Sequence, residues 1–219
     1  MCFTPIVSFL TFAIELVMSI WVFTRNPKKP LYKVAALILF FLGAYQFSEF
    51  GLCTFNDKFF WARFGFIIYT MLPALGVHLA YALKGSRKKI WQVYILPVLF
   101  IAIAAIDSSF VKSAECAKYF VKNSFNLSPF LTRSYFLYYG SFIVAACVLL
   151  IDFILEENNR KKRRIYVLGL LAALSFTLPT FVFVLMLPSF NIYFPSILCH
   201  FAIFFAIMVT YIIYLIEKK

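Results

Sequence analysis

The stretch that decides the fold class lies at residues 37–42, which read Leu-Ile-Leu-Phe-Phe-Leu. Residues 203–208 read Ile-Phe-Phe-Ala-Ile-Met and are equally free of polar side chains. A transmembrane β-strand needs about ten residues of strict alternation between apolar and polar side chains. Neither stretch alternates, so both indicate apolar α-helices.

The same apolar character extends over most of the 219 residues, of which 63% are hydrophobic and only 14% charged. Soluble domains are about a quarter charged, and the mean hydropathy here is +0.89, so we expect lipid to be the solvent. Each pass through a bilayer takes roughly 20 helical residues. The sequence therefore predicts an all-α, polytopic membrane protein with a single domain, residues 1–219, and a bundle of seven transmembrane helices at 3–24, 31–54, 59–83, 90–107, 134–155, 165–187 and 192–216.

Most of the 21 lysines and arginines lie in the connections that follow the first, third, fifth and seventh segments. They are Arg25, Lys28, Lys29 and Lys33, then Lys84, Arg87, Lys88 and Lys89, then Arg160 to Arg164, then Lys218 and Lys219. By the positive-inside rule this pattern predicts an outside N-terminus and a cytoplasmic C-terminus. Because topology and anionic lipids account for these clusters, we expect a multi-pass protein of the bacterial inner membrane whose partner is the lipid bilayer, not nucleic acid.

A few polar residues fall at membrane depth, where an unpaired charge costs a few kcal/mol. Glu15 lies near the midplane and is expected to be uncharged unless a polar group reaches it, and a proton-relay role stays open. Gln46 and Glu49 share one face of the second helix, and Arg63 reaches similar depth on the third. Either Glu49 and Arg63 hold helices together, or an outward-facing pocket binds a small polar or anionic ligand. The candidate residues are Glu15, Gln46, Glu49, Arg63, Cys199 and His200.

The cysteines and histidines limit the remaining chemistry. Cys2, Cys53 and Cys116 fall outside or in the outer half, where a disulfide is chemically allowed, and the sequence leaves their pairing open. The two histidines fall in opposite halves, so no metal site is predicted. No lysine precedes Lys218 in the last segment, which excludes a retinal pigment, and phosphate loops and Ser-His-Asp arrangements do not appear. We therefore predict no metal and no cofactor.

Two segments carry a resemblance, Met1-Cys2-Phe3-Thr4 and Gln46-Phe47-Ser48-Glu49. With Pro73 and Cys199, they resemble an uncharacterised bacterial family of small seven-helix membrane proteins that begin Met-Cys-Phe-Ser and carry Gln-x-x-Glu in helix two. The chain departs from that family at Thr4, Tyr45 and Phe50. Trp61-Ala62-Arg63 also resembles the seven-helix sensor region that precedes membrane histidine kinases. These resemblances imply the fold and a set of site residues, but they do not imply a chemical reaction.

Three functions stay open. The leading hypothesis is a receptor-like or sensor-like bundle with an outward-facing polar pocket, which signals through a separate protein or a homo-oligomer. The first alternative is a small transporter in which helix four links two triplets of helices. The second is an intramembrane enzyme acting on a lipid or a thiol, with an acidic residue beside Cys2 or Cys199. The sequence indicates no catalytic residue and does not favour an enzyme.

Overall fold

The computed structural model describes residues 5–86, 90–116, 121–186 and 194–218, with the backbone alone described at 176, 180, 181, 183–186 and 194–200. In these ranges the chain forms seven α-helices, a short 3-10 helix (Trp91–Tyr94) and two β-strands. The helices are α1 (Pro5–Arg25), α2 (Pro30–Thr54), α3 (Lys58–Lys84), α4 (Ile95–Ile106), α5 (Pro129–Glu156), α6 (Arg160–Met186) and α7 (Phe194–Glu217). The predicted helical class and the seven helices are thus present. The strands are β1 (Val111–Cys116) and β2 (Val121–Phe125).

The six long helices form a closed ring in the order α1, α2, α3, α5, α6, α7, and α7 returns to pack against α1. Two further contacts cross the ring, between α2 and α7 and between α3 and α6. The short helix α4 packs against α3 outside this ring. The ring therefore consists of two triplets, α1–α3 and α5–α7, connected through α4 and the two strands.

Several helices extend past the apolar segments that predict them. Helix α5 begins at Pro129, where Ser128 accepts a hydrogen bond from the Leu131 amide at 3.3 Å. Helix α6 begins at Arg160, before the predicted start at 165. Hydropathy marks where an apolar surface stops, whereas helical hydrogen bonding continues into polar residues until a cap or a turn ends it.

The long connection between α4 and α5 contains a β-hairpin, which the sequence analysis did not predict. Strands β1 and β2 are antiparallel, with Glu115 opposite Lys122 and Cys116 opposite Val121. A disulfide joins Cys116 to Cys53 in the last turn of α2, with 5.3 Å between their Cα atoms. The end of the bundle that carries this hairpin is called the hairpin end below, and the opposite end, where α1, α3, α5 and α7 finish, is called the basic end.

The outer surface of the bundle is apolar. Helix α1 shows this most clearly, because it buries Ser8, Glu15 and Ser19 while its large apolar side chains are exposed. The exposed set on this helix is Ile6, Phe9, Leu10, Ile14, Val17, Ile20 and Phe23. Within the described residues, four helices are long and apolar enough to cross a membrane, namely α1, α2, α3 and α5.

Glycines bring α1, α2 and α3 close together. A Cβ atom built on Gly51 would lie 2.3 to 2.5 Å from three carbons of the Trp61 indole, so α3 packs its tryptophan directly on the α2 backbone. At Gly43 a Cβ would lie 3.3 Å from the Cβ of Glu15. The three helices of the first triplet therefore depend on small residues at their contacts, as membrane bundles commonly do.

We expect Gly51→Ala to destabilise the protein by about 2 kcal/mol, because the rigid indole of Trp61 must move to admit a methyl group. The matched control is Gly140→Ala on α5, where a Cβ meets nothing within 4 Å. There the higher helix propensity of alanine should leave the free energy of unfolding unchanged or raise it by up to about 1 kcal/mol. Unfolding in mixed micelles measures both, and equal effects at the two positions would contradict the close contact.

Candidate functional site

Gln46 and Glu49 lie on the face of α2 that points into the ring. With a helical period of 3.6 residues, they continue the stripe formed by Ala35, Ile38 and Leu42, which lines the central cavities described below. Gln46 is 1% exposed and Glu49 is 3% exposed. The pair therefore sits inside the bundle toward the hairpin end and is closed to solvent.

Glu49 has a tyrosine partner one turn earlier on its own helix. The hydroxyl of Tyr45 donates to Oε1 of Glu49 at 3.0 Å, and the Tyr45 ring packs edge-on against Tyr69 of α3. The hydroxyl of Ser48 donates to the carbonyl of Tyr45 at 2.6 Å. Glu49 is thus held by its own helix and by the aromatic contact with α3.

Glu15 lies alone in the interface between α1 and α2. Its side chain is 0% exposed, and among the described residues neither carboxyl oxygen has a hydrogen-bond partner. One turn further along α1, the hydroxyl of Ser19 donates to the Ala36 carbonyl at 2.7 Å. The buried polar side chains Glu15 and Ser19 therefore face α2, and of these two only Glu15 can bear a charge.

We expect Glu15→Lys to destabilise the protein by about 3 kcal/mol, since an ammonium group near the centre of an apolar helix lacks solvation. A matched Glu15→Gln variant keeps the shape of the side chain without a charge and should stay within about 1 kcal/mol of the parent. The free energy of unfolding in mixed micelles distinguishes them. A Glu15→Lys variant as stable as Glu15→Gln would mean that water reaches this position.

Arg63 does not pair with Glu49, which corrects the ion pair considered from the sequence. Its guanidinium donates to the carbonyls of Asp107 and Ser108, each at 2.9 Å. No ion pair between Arg63 and Glu49 exists within the parts of the chain described. Arg63 instead sits at the C-terminus of α4, where carbonyls lack helical partners and the helix dipole favours a cation.

The turn that follows α4 is fixed by Asp107. Its Oδ1 accepts from the hydroxyl of Ser109 at 2.7 Å and from the amide of the same residue at 2.8 Å. These hydrogen bonds, with Arg63 nearby, hold the pKa of Asp107 below its ordinary value. Arg63 and Asp107 therefore position the start of the hairpin, and Arg63 is not part of a pocket with Gln46 and Glu49.

The hairpin is anchored on an aromatic cluster centred on Phe66 of α3. The centroid of the Phe66 ring lies 4.7 Å from that of Phe110, 4.9 Å from Phe125 and 5.2 Å from Tyr135. Phe66 and Phe110 are both buried. With the disulfide to α2, the contacts of Phe110 and Phe125 with Phe66 fix the hairpin to α2 and α3.

A network of hydroxyl groups lies next to this cluster, toward the basic end, and the sequence analysis did not predict it. The hydroxyl of Tyr138 donates to the Thr70 carbonyl at 2.6 Å, and the hydroxyls of Thr70 and Tyr135 are 3.0 Å apart. The network lies one turn before Pro73, which has no amide hydrogen for the helix ladder. The run Ser134-Tyr135-Phe136-Leu137-Tyr138-Tyr139 was the available signal, because tyrosines bury their hydroxyls only with partners.

The centre of the ring contains two adjoining apolar cavities. The first has a volume of about 50 Å³ and is lined by both triplets, including Ala35, Gly76, Ala146 and Ala172. The second, of about 60 Å³, shares Gly76 and Ala146 with the first and extends to Leu72 and Tyr139. Neither contains a charged side chain among the residues described.

A wider groove of about 410 Å³ lies at the basic end. It shares Leu31 and Leu83 with the first cavity, and its lining includes Lys29, Lys84 and Lys162. The Nζ atom of Lys84 is 2.8 Å from a carboxylate oxygen of Glu156, at the end of α5. Arg25 and Glu217 similarly link the ends of α1 and α7 at 3.7 Å. All these pairs are at least partly exposed, so each contributes little stability.

Three predicted residues lie outside the described side chains. Cys2 precedes the described range, and only the backbone is described at Cys199 and His200. The structure thus brings Gln46 and Glu49 together, places Glu15 on α1 against α2, and directs Arg63 to the hairpin. Arg63 therefore lies outside the predicted site, and the roles of the other five residues stay predictions.

Comparison of the chain with protein-family models, with curated proteins and with solved structures found no significant match.

Proposed function

We propose that this protein is a small membrane transporter whose two helix triplets enclose a central substrate pathway. The arrangement of helices around the ring supports this most directly. Any closed ring of six helices keeps its neighbouring contacts when α1, α2 and α3 exchange with α5, α6 and α7, so the crossing contacts are the ones that test the symmetry. The crossing contacts obey the same exchange, since α2 with α7 becomes α6 with α3. This is the pattern expected from a two-fold axis along the bundle, which parallel repeats in transporters possess.

The position of the cavities also supports transport. They lie between the triplets, where rocking of one triplet against the other would open and close a pathway. The first cavity shares Leu31 and Leu83 with the groove at the basic end, and the disulfide-linked hairpin packs on α2 and α3 at the other end. A receptor with an outward-facing pocket has less support, because Gln46 and Glu49 are buried.

Two independent chemical arguments support an orientation with the hairpin end outside the cell. Clustered lysines and arginines favour the cytoplasmic side, and those described here lie largely at the basic end. Disulfides form in oxidising compartments and are rare in the cytosol, and Cys53–Cys116 lies at the hairpin end. Both arguments give the same orientation for a multi-pass protein of the bacterial inner membrane.

Thiol labelling tests the orientation and the pathway together. The background keeps Cys53 and Cys116 and replaces the other three cysteines with alanine. In sealed vesicles, an impermeant maleimide should label Ser86→Cys only from the cytoplasmic side and Ser109→Cys only from outside. The reverse result would overturn the orientation.

Alternating access predicts that Ala146→Cys in the shared cavity reacts with maleimide added on either side, one side at a time. The control is Val144→Cys on the same helix, whose parent side chain is exposed on the apolar surface and should not react from either side. Reaction of Ala146→Cys from the basic end alone would contradict transport and favour a fixed binding cavity.

A further inference from the structure

We infer that the central cavities and the basic groove form one binding site for a single-chain anionic amphiphile, with its alkyl chain between the triplets and its head group at the lysines. This inference rests on the proposed transport function, whose substrate class it names. Its basis is an apolar slot that adjoins a cationic groove at Leu31 and Leu83.

The slot has the length and the apolar lining for an alkyl chain, and its two cavities of about 50 and 60 Å³ are narrow, so a chain would enter as the two triplets separate. On α3 it extends from Leu83 at the groove to Leu72 in the second cavity, which is about 16 Å at 1.5 Å per residue. Small residues line its middle, namely Ala35, Gly76, Ala146, Gly169, Ala172 and Ala173. Apolar cavities of this kind exclude water and accept apolar ligands.

Gly76 marks the open middle of this slot. It lines both cavities, and a Cβ atom built on it would meet nothing within 4 Å. The space beside α3 is therefore free of side chains at the junction of the two cavities. A bound chain would pass this point, and a larger residue here would block the slot.

The mouth of the slot favours an anionic head group. Lys29, Lys84 and Lys162 line the groove, and no acidic side chain of the described residues does so. Glu156 and Glu157 contact Lys84 and Lys162 from outside the groove, at 2.8 and 3.8 Å. Because these ion pairs are exposed and weak, a carboxylate or phosphate can share the same ammonium groups. Lys29 lies over the Tyr32 ring.

The experiment uses the full chain in neutral phosphatidylcholine nanodiscs and a palmitic acid probe with a diazirine in mid-chain. Crosslinks should map to cavity residues such as Ala146 and Ala173. Unlabelled palmitate or lysophosphatidic acid should compete, and the better competitor identifies a carboxylate or a phosphate head. Crosslinks confined to lipid-facing residues such as Leu137, or a failure of both competitors, would overturn the inference.

Matched variants test the slot and the mouth separately. Gly76→Leu should lower specific crosslinking at least about tenfold by filling the slot, whereas Gly140→Leu, also in open space, should not. Changing the three groove lysines to glutamine should weaken binding of the acid probe by about tenfold. Binding of the corresponding alcohol should be unchanged. The inference would be overturned if the lysine changes weakened binding of the acid and the alcohol equally, or if Gly76→Leu did not lower specific crosslinking.

The two proposals fail in different ways. Alternating access at Ala146→Cys without amphiphile binding would retain transport and reject this substrate class. Amphiphile binding with access from the basic end alone would retain the site and reject transport. The wild-type crosslinking map decides the location of the site even if a substituted protein does not fold.

Discussion

Removing the disulfide should lower the free energy of unfolding by about 4 kcal/mol in a Cys53→Ala/Cys116→Ala variant. The two cysteines are 63 residues apart, and the chain-entropy argument gives about this value for a loop of that length. The link matters because it joins the hairpin to α2, whereas the aromatic contacts of the hairpin are centred on Phe66 of α3. Without it, the hairpin keeps its contacts with α3 but loses its covalent link to α2. Unfolding in mixed micelles under non-reducing conditions measures the loss.

Cys147→Ala is the matched control for this prediction, since Cys147 is a free, half-buried cysteine on α5. Its stability should stay close to that of the parent, and it should still lose about 4 kcal/mol on reduction. The double variant should not respond to a reducing agent. If reduction leaves the parent unchanged, or destabilises the double variant equally, then the Cys53–Cys116 link does not stabilise the native protein.

The helices could be predicted from the sequence because a lipid solvent requires long apolar segments, which are easily recognised. Apolar runs near the length of a bilayer crossing predict helices with little competition from other folds, and α2 and α3 match their predicted bounds to within one residue. The starts of α5 and α6 were missed because residues 129–133 and 160–164 are polar or capped, and hydropathy does not report backbone hydrogen bonds. The hairpin was missed because its short strands mix apolar and polar residues, and its pairing depends on Cys53, far away in the sequence.

The burial of the polar residues was predictable, but their partners were not. Glu15, Gln46 and Glu49 are buried as expected, because lipid offers a charged or amide side chain no hydrogen bonds. Arg63 contacts carbonyls at the end of α4, which becomes visible only when α4 is packed against α3. The central cavities had no sequence signal, since they arise where small residues from α2, α3, α5 and α6 meet in the folded bundle.

Phe66→Ala should destabilise the protein by about 4 kcal/mol and loosen the hairpin. Loss of a buried phenylalanine typically costs 3 to 5 kcal/mol, about half of it from the cavity that remains when neighbours cannot collapse. Collapse is restricted here because Phe110 and Phe125 belong to a hairpin held by the disulfide, while Tyr135 is fixed by its hydroxyl contact with Thr70. Chemical unfolding measures the energy, and amide hydrogen exchange at residues 111–116 and 121–125 should increase.

Phe59→Ala is the control, because Phe59 lies on the same helix but is exposed on the apolar surface. It removes the same side chain without opening an internal cavity, so the loss should be much smaller and hydrogen exchange in the hairpin unchanged. Since Phe66 contacts Phe110, which directly precedes β1, and Phe125, which ends β2, its effect on exchange should appear in both strands of the hairpin. Exchange that rises throughout the bundle but not selectively at the hairpin would mean that Phe66 stabilises the helices alone, and that the disulfide by itself holds the hairpin.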